Sequence, residues 1–366
     1  MQEPEVAANE ASVLLLDNSD VERLFDVASC LEALTSAYRA LADGTAVDRK
    51  RTQTYVRLPE AGASYCLKTM EGAIPGTGLI ALRFTSDIIA EEAIDGVVRR
   101  EKLPRGPGGT YCGLIVLFSV TALTPVAIIH DGYIQVSRVA CTSALSAKLL
   151  ARADAGDLGL LGSSGQAWAH LLAMRAVRRL RRVRVYSPNR EHREAFARRA
   201  REELQLDAVA VGSARDAVVD ADLVVLATNT SAPIIDGGWL AAGAHVVSIV
   251  SGDDRQQRRE LDDETMRRAA VVFAHSKEVA QNQNQGDLCV PVARGILQWT
   301  AIHDLSELVA GRARGRTHAD DITVFKNNVG LGLQFAAVAG RVYELALQRN
   351  VGRKLPASWF LETMKP

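Results

Sequence analysis

The segment Leu160-Leu161-Gly162-Ser163-Ser164-Gly165-Gln166-Ala167 joins an apolar run to a stretch of helical periodicity, and such a turn can cradle a phosphate. In a dinucleotide loop the first glycine permits the tight turn. The second position lets the backbone approach a pyrophosphate, and the third lets helix and strand pack closely. Those places hold Gly162, Ser164 and Ala167. Serine in the middle departs from the pattern, yet it is small and its hydroxyl can donate to phosphate. Ser163, Gly165 and Gln166 add backbone N–H groups at the positive end of the helix. Alone, the motif also fits a glycine-rich turn of any α/β domain; the strand before it, the helix after it and a second strand at 183–186 favour a dinucleotide.

The end of that second strand decides which dinucleotide. An acid there would hydrogen-bond the adenosine ribose and exclude a 2′-phosphate, but the chain reads Tyr186-Ser187-Pro188-Asn189-Arg190. Ser187 offers a hydroxyl, Asn189 follows, and Arg190 with Arg193 could meet a phosphate by forked hydrogen bonds. NADP(H) is therefore expected in preference to NAD(H), with NAD(H) as the alternative. The competing reading makes both arginines a solvated helix face.

A parallel sheet is needed to position such a loop. Strand and helix patterns alternate at 158–161, 166–180, 183–186, 191–204, 208–211, 214–219, 223–227 and 245–250, which predicts an α/β fold with a Rossmann-type, doubly wound parallel sheet over about 140–318. The preceding stretch reads differently: a strand at 13–16, an amphipathic helix capped by Ser19-Asp20, then short strands at 54–56, 65–68, 79–84, 114–119 and 126–129. Residues 91–109, rich in charge, Gly and Pro, are expected to form a long surface loop. The Gln/Asn run at 281–285 reads as a polar loop, and a last helix is expected at 328–349.

Composition narrows the classes. At 366 residues, 48% of them hydrophobic, two domains are expected. Lys plus Arg equals Asp plus Glu at 43 each, which removes the bulk electrostatic case for nucleic acid or an anionic membrane. Five cysteines lie singly, without ligand spacing, so neither a disulfide framework nor a metal site is expected. No apolar stretch approaches about 18 residues, and the acidic N-terminus lacks the build of a signal peptide, so a reducing cytoplasm is expected.

Several stretches together resemble the ornithine cyclodeaminase and mu-crystallin family: Asp131-Gly132, Arg138 through Lys148, Leu160 to Ala167, Ala221 to Thr228, Trp239 to Gly243, Val250-Ser251-Gly252-Asp253 and Glu260-Leu261-Asp262. The resemblance implies an α+β N-terminal substrate and dimerisation domain, 1–139, to which 319–366 return as closing helices, with the Rossmann domain inserted at 140–318. It implies a homodimer and a small amino or imino acid substrate. It further implies that Arg51, Lys68 and Arg138 hold the substrate carboxylate, and that Lys68 and Asp253 manage protons. Three cations around one carboxylate make chemical sense, because arginine is bidentate and a crowded, partly buried lysine loses basicity. Asp254 competes with Asp253 for the acid's role. Thr228, Asn229 and Thr230 after one strand, and Val250 and Gly252 after the next, complete the expected cofactor contacts.

The expected activity is NAD(P)H-dependent oxidoreduction at the α-carbon of an amino or imino acid, as in ketimine reductases and amino-acid dehydrogenases. Two alternatives stay open: a cyclodeaminase that eliminates ammonia with catalytic cofactor, and a mu-crystallin-like NADPH-binding protein with little turnover. Departures from the family pattern around Arg138, after Asp253 and in the lengthened 83–113 segment point to a substrate other than ornithine.

Overall fold

The computed structural model describes residues 11–59, 62–94, 97–252, 256–327 and 329–362, and for 91–94 and 97–100 the backbone. In chain order the strands are β1 (Ser12–Leu16), β2 (Val47–Asp48), β3 (Thr52–Arg57), β4 (Ala63–Ile74), β5 (Leu79–Ile94), β6 (Val97–Leu103), β7 (Cys112–Ser119) and β8 (Pro125–His130). There follow β9 (Asp157–Leu161), β10 (Arg182–Tyr186), β11 (Ala208–Ala210), β12 (Leu223–Leu226), β13 (His245–Ser248), β14 (Ala269–Ala274), β15 (Ile302–Asp304), β16 (Ile322–Lys326) and β17 (Arg353–Pro356).

The first eight and the last form a mixed sheet ordered β17-β1-β8-β7-β5-β4-β2, with β3 on β4 and β6 on β5. Alternation along β5, β7 and β8 sends Ala81, Ile115, Leu117, Ala127 and Ile129 inward, where they are buried. The closing helix Gly332–Arg349 packs on β4, β5 and β7 of that face, helix α1 (Asn18–Leu24) on β8, and α2 (Val27–Ala42) stacks on the closing helix. The closing helix meets β4 so tightly that a Cβ on Gly332 would lie 1.8 Å from the Glu71 carbonyl oxygen. This contact sets Gln334 and Phe335 beside the site.

Of the surface loop expected at 91–109, only 104–109 lie outside the sheet's strands among the described residues, while 91–94 and 97–103 are strand. β5 runs on to Ile94 and pairs with β6 as an antiparallel ribbon, whose register sets Glu91 opposite Arg100 and Glu92 opposite Arg99.

Helix α3 (Gly132–Leu150) leads into the second sheet, which is wholly parallel and ordered β11-β10-β9-β12-β13-β16-β14-β15. Its first strand, β9, lies central with β10 and β11 on one side and β12 and β13 on the other, the doubly wound arrangement. Strands β12 and β13 are buried throughout, as both-face coverage demands. Strand β16, which a boundary at 318 would have sent back with the closing helices, sits in this sheet between β13 and β14. Its apolar run Ile-Thr-Val-Phe needs burial on both faces. Among the described residues no helix is long and apolar enough to cross a membrane.

Candidate active site

Arg51, Lys68 and Arg138, far apart in sequence, line one cavity of about 230 Å³ between the two sheets. Arg51 precedes β3, Lys68 lies on β4 and Arg138 on α3. Ser251 and Gly252, beyond the end of β13, close the cavity from the other side.

Arg138 is 5% exposed. Its Nη1 donates to Gln334 Oε1 at 3.3 Å and its Nη2 to Gln135 Oε1 at 3.0 Å, while its guanidinium lies over the Phe335 ring. Burial, then the neighbouring Arg83, pulls it down to about 9, still charged at neutral pH. Arg83 is itself neutralised by Asp131, Nη2 to Oδ2 2.5 Å. Lys68 donates to Asp87 Oδ2 at 3.2 Å. Burial, then the charge of Lys102, lowers Lys68 to about 8. Arg51 donates to Gln283 Oε1 at 2.6 Å.

Gln283 and Gln285, expected in a polar loop, are buried to 4% and 1% exposure. Gln285 exchanges hydrogen bonds with the backbone of Gly252, accepting at 3.3 Å and donating at 3.2 Å. The Gln/Asn run thus braces the turn that leads into Asp253. Asp253 itself, the expected proton-handling acid, lies outside the described residues, as does Asp254.

The loop after β9 has the shape expected of a phosphate cradle. Gly162 adopts φ +123°, and a Cβ there would lie 2.3 Å from the carbonyl oxygen of Ala227. Helix α4 (Gly165–Val177) begins at Ser164 with no side chain capping its first turn, and nothing lies within 4 Å of a Cβ built on Gly165. The exposed amides and open space, at the switch point between β9 and β12, fit a dinucleotide pyrophosphate. Gln166 turns instead towards α3, donating to the Val136 carbonyl at 3.2 Å, and Ala167 is fully buried. Ser163 Oγ donates to Ser187 Oγ at 2.9 Å, joining the loop to the end of β10. Asn189 caps helix α5 (Arg190–Leu204), accepting from His192 N at 3.0 Å. Arg190 pairs with Glu194 at 2.7 Å with its side chain 78% exposed. Arg193 is folded back onto the carbonyls of Ser187 and Pro188.

Thr228, Thr230 and Val250 do not all point outwards as cofactor contacts. The hydroxyl and amide of Thr228 donate to Glu260 Oε1 at 2.6 and 2.9 Å, and the amides of Ile249 and Val250 to Glu260 Oε2 at 2.8 and 2.9 Å. Thr230 closes a local turn with Ala232. Asn229 does reach out, donating to Glu101 Oε1 on β6 at 3.2 Å. Glu260 is fully buried, and burial raises its pKa against the pull of Lys326. Ser248 and the Asp287–Lys326 pair, 2.7 Å apart, complete a closed network under the ends of β12 and β13. Periodicity missed this brace; its signal was Lys326, a lone charge ending an apolar strand. Among the described residues no cluster of three or more His, Cys, Asp or Glu is set to hold a metal ion.

Comparison with known proteins fits this geometry. A family model described as the ornithine cyclodeaminase/mu-crystallin family matches residues 101–350. The chain is 33% identical over 247 residues to a Delta(1)-pyrroline-2-carboxylate reductase of Bacillus cereus, covering 67% of this chain and 74% of that protein. It is 30% identical over 330 residues to an uncharacterized cyclodeaminase of Sinorhizobium fredii, covering 89% and 92%. The structure of Thermococcus litoralis Delta(1)-pyrroline-2-carboxylate reductase in complex with NADH and L-proline superposes with a TM-score of 0.81 at 28% identity, covering 94% of this chain and all of that one. The uncapped loop, the cation-lined cavity closed by Ser251 and Gly252 and these likenesses lead to one conclusion: the chain belongs to the ornithine cyclodeaminase/mu-crystallin family.

Proposed function

We propose that this chain is a nicotinamide-dependent oxidoreductase of the imine-reductase type, acting at the α-carbon of an amino or imino acid. The observation that carries the reading is the convergence of Arg51, Lys68 and Arg138 on one cavity opposite Gly252. Arg51 and Arg138 bind the α-carboxylate, and Arg138, locked by Gln135, Gln334 and Phe335, sets its orientation. Lys68, lowered to about 8 by burial and Lys102, stands near enough to neutrality to hold or donate a proton at the substrate nitrogen; Asp253 is the second candidate for that proton. A bound nicotinamide would supply the hydride. Ser163, Ser164 and Gly165 would carry the pyrophosphate on backbone amides, with Gly162, whose own amide is tied to the Tyr186 carbonyl, making the turn.

NADP(H) is the favoured cofactor. No acid ends β10, and Arg190 gives up an exposed, solvent-screened ion pair with Glu194 in exchange for a charge-assisted phosphate contact. We place the reaction in the reducing cytoplasm, where Cys30, Cys66 and Cys141, buried thiols, stay reduced.

The test is a panel of cyclic and linear imino acids with NADPH and NADH. Net NADPH oxidation is expected, with kcat down about 10²-fold or more in Lys68→Met and KM up about 10²-fold in Arg138→Met. Arg190→Ala should weaken NADPH alone. Ammonia release without net change in NADPH would instead make the protein a cyclodeaminase, and tight NADPH binding with no turnover across the panel would make it a binding protein.

The protein is also proposed to be a homodimer. The outer face of the first sheet presents Ile80, Leu82 and Phe84 beside Phe118, Val116 and Leu114, with Ile128 next in the row, all partly exposed. A continuous apolar face of this kind calls for a cover, and a second copy of the same sheet matches it. Phe84→Glu with Val116→Glu is expected to halve the mass measured by sedimentation equilibrium. A dimer of unchanged affinity would put the interface elsewhere.

A further inference from the structure

Asp87 is the counterion of Lys68, but Lys68 does not have it alone. The carboxylate, 1% exposed, is shared: its Oδ2 takes Lys68 Nζ at 3.2 Å and Thr85 Oγ1 at 3.1 Å, and its Oδ1 takes Lys102 Nζ at 2.9 Å. Register explains the row. Lys68 faces Thr85 and Asp87 lies two residues further along β5, while Lys102 faces Ile89, two further again. Diagonal neighbours on one sheet face are within reach of long side chains. Lys102 comes from the ribbon that lengthens the 83–113 segment. Tyr111 Oη fixes its backbone by donating to the Lys102 carbonyl at 3.2 Å.

We propose that Lys102 is a positioning residue for the reaction: by occupying one oxygen of Asp87 it holds Lys68 at the other and leaves the Lys68 amine directed into the cavity as a proton-transferring group. The inference rests on the imine-reductase reading for the reaction, but its geometry does not.

The surroundings favour Lys102 over the other cations facing Lys68. Arg83 on β5 is neutralised by Asp131, and Arg138 on α3 is held by Gln135 and Gln334. Arg51, before β3, bonds Gln283, and Arg258, from the other unit, bonds the carbonyls of Thr230 and Asn229. Among the described residues Lys102 is the cation that shares Lys68's counterion. Burial alone would raise Asp87, but Lys102 and then Lys68 outweigh it and keep it a carboxylate. After burial, Lys102 is the largest influence lowering Lys68.

The test reads Lys68 directly, by competitive labelling with acetic anhydride across pH and mass spectrometry of the peptide that carries it. In Lys102→Met, which keeps the aliphatic stem, the labelling midpoint is expected to rise by about one pH unit, and the alkaline limb of the kcat/KM profile to move with it. Lys102→Arg is expected to restore both. Lys102 is 46% exposed on its side chain, so the fold should tolerate the change; Lys102→Gln provides a second uncharged variant. An unchanged midpoint in both uncharged variants overturns the proposal, and so does an equal shift in Lys102→Arg. A shifted midpoint without turnover of any imine supports the role of Lys102 and counts against the reductase reading alone.

Discussion

Gly162→Ala is expected to weaken nicotinamide-dinucleotide binding by two orders of magnitude or so and to lower stability measurably. Glycine at this position adopts φ +123°, a region that costs an L-residue about 1–3 kcal/mol. A Cβ would also stand 2.3 Å from the Ala227 carbonyl oxygen and 3.0 Å from its carbon. Neither neighbour is a flexible side-chain end. Ala227 is tied to β9 through its amide, which donates to the Leu161 carbonyl at 2.8 Å, and Gly162 N is tied to the Tyr186 carbonyl at 2.8 Å. The overlap therefore has to be relieved by moving the loop whose amides would meet the pyrophosphate. A loss of about 3 kcal/mol in binding corresponds to the hundredfold change. Gly165→Ala is the control, since nothing lies within 4 Å of its added methyl and alanine favours helix over glycine by about 1 kcal/mol; it should leave urea stability equal or higher. NADPH fluorescence titration and urea denaturation of both variants check this. Binding by Gly162→Ala within threefold of the parent would remove the loop from the cofactor site.

The second large effect is acid lability. His170, His245 and His275 are fully buried, and burial lowers them to about 4, 3 and 3. A histidine depressed in the folded state takes up its proton more readily when unfolded. Below its unfolded value of about 6.5 the unfolded chain therefore binds more protons, and stability falls as pH falls towards the folded values. At pH 4.5 each contributes a loss on the order of 2–3 kcal/mol, together a large part of the 5–15 kcal/mol typical of a folded domain. Cooperative unfolding between about pH 4 and 5 is expected by circular dichroism.

The three differ in what replacement would do at neutral pH. His245 sits 2.9 Å from Thr323 Oγ1 and 3.2 Å from Ser146 Oγ, and His170 2.9 Å from Ser143 Oγ. Among the described residues neither ring nitrogen of His275 meets a hydrogen-bond partner. His275→Leu is expected to leave stability at pH 7.5 within about 1 kcal/mol and to remove one proton from the uptake on unfolding near pH 5. His245→Leu should remove the same proton but cost about 0.5–1.5 kcal/mol at pH 7.5 for each hydrogen bond lost, since Ser146 Oγ still donates to the Ser143 carbonyl and Thr323 Oγ1 still accepts from Arg316. Unchanged proton uptake in both variants would mean that these imidazoles are not what makes the fold acid-sensitive.

Strands β9 to β13 of the parallel sheet were legible in the sequence, whereas β14, β15 and β16 were not read from it. Apolar runs at β9, β12 and β13 carry the pattern of strands buried on both faces, β10 alternates, and the intervening helices demand a crossover each. Gly162 announced its turn because no other residue tolerates the backbone there. The ribbon of β5 and β6 was illegible because a run dense in charge reads in sequence like a solvated loop. Gln283 and Gln285 misled for a related reason: an amide side chain reads as exposed until its partners, Arg51 and Gly252, are known.

Composition, periodicity and the loop motif by themselves pointed to a two-domain α/β protein with a parallel sheet and a turn fit for a dinucleotide, and the resemblance named Arg51, Lys68 and Arg138. Only the tertiary structure decided that these three share a cavity, that Asp87 divides itself between Lys68 and Lys102, and that Glu260, Asp287 and Lys326 brace the strand ends beneath. Periodicity is a local property, set by 3.6 residues per helical turn and two per strand repeat. The meeting of side chains separated by many residues, and the desolvation that shifts their protonation, exist only after the two sheets have packed.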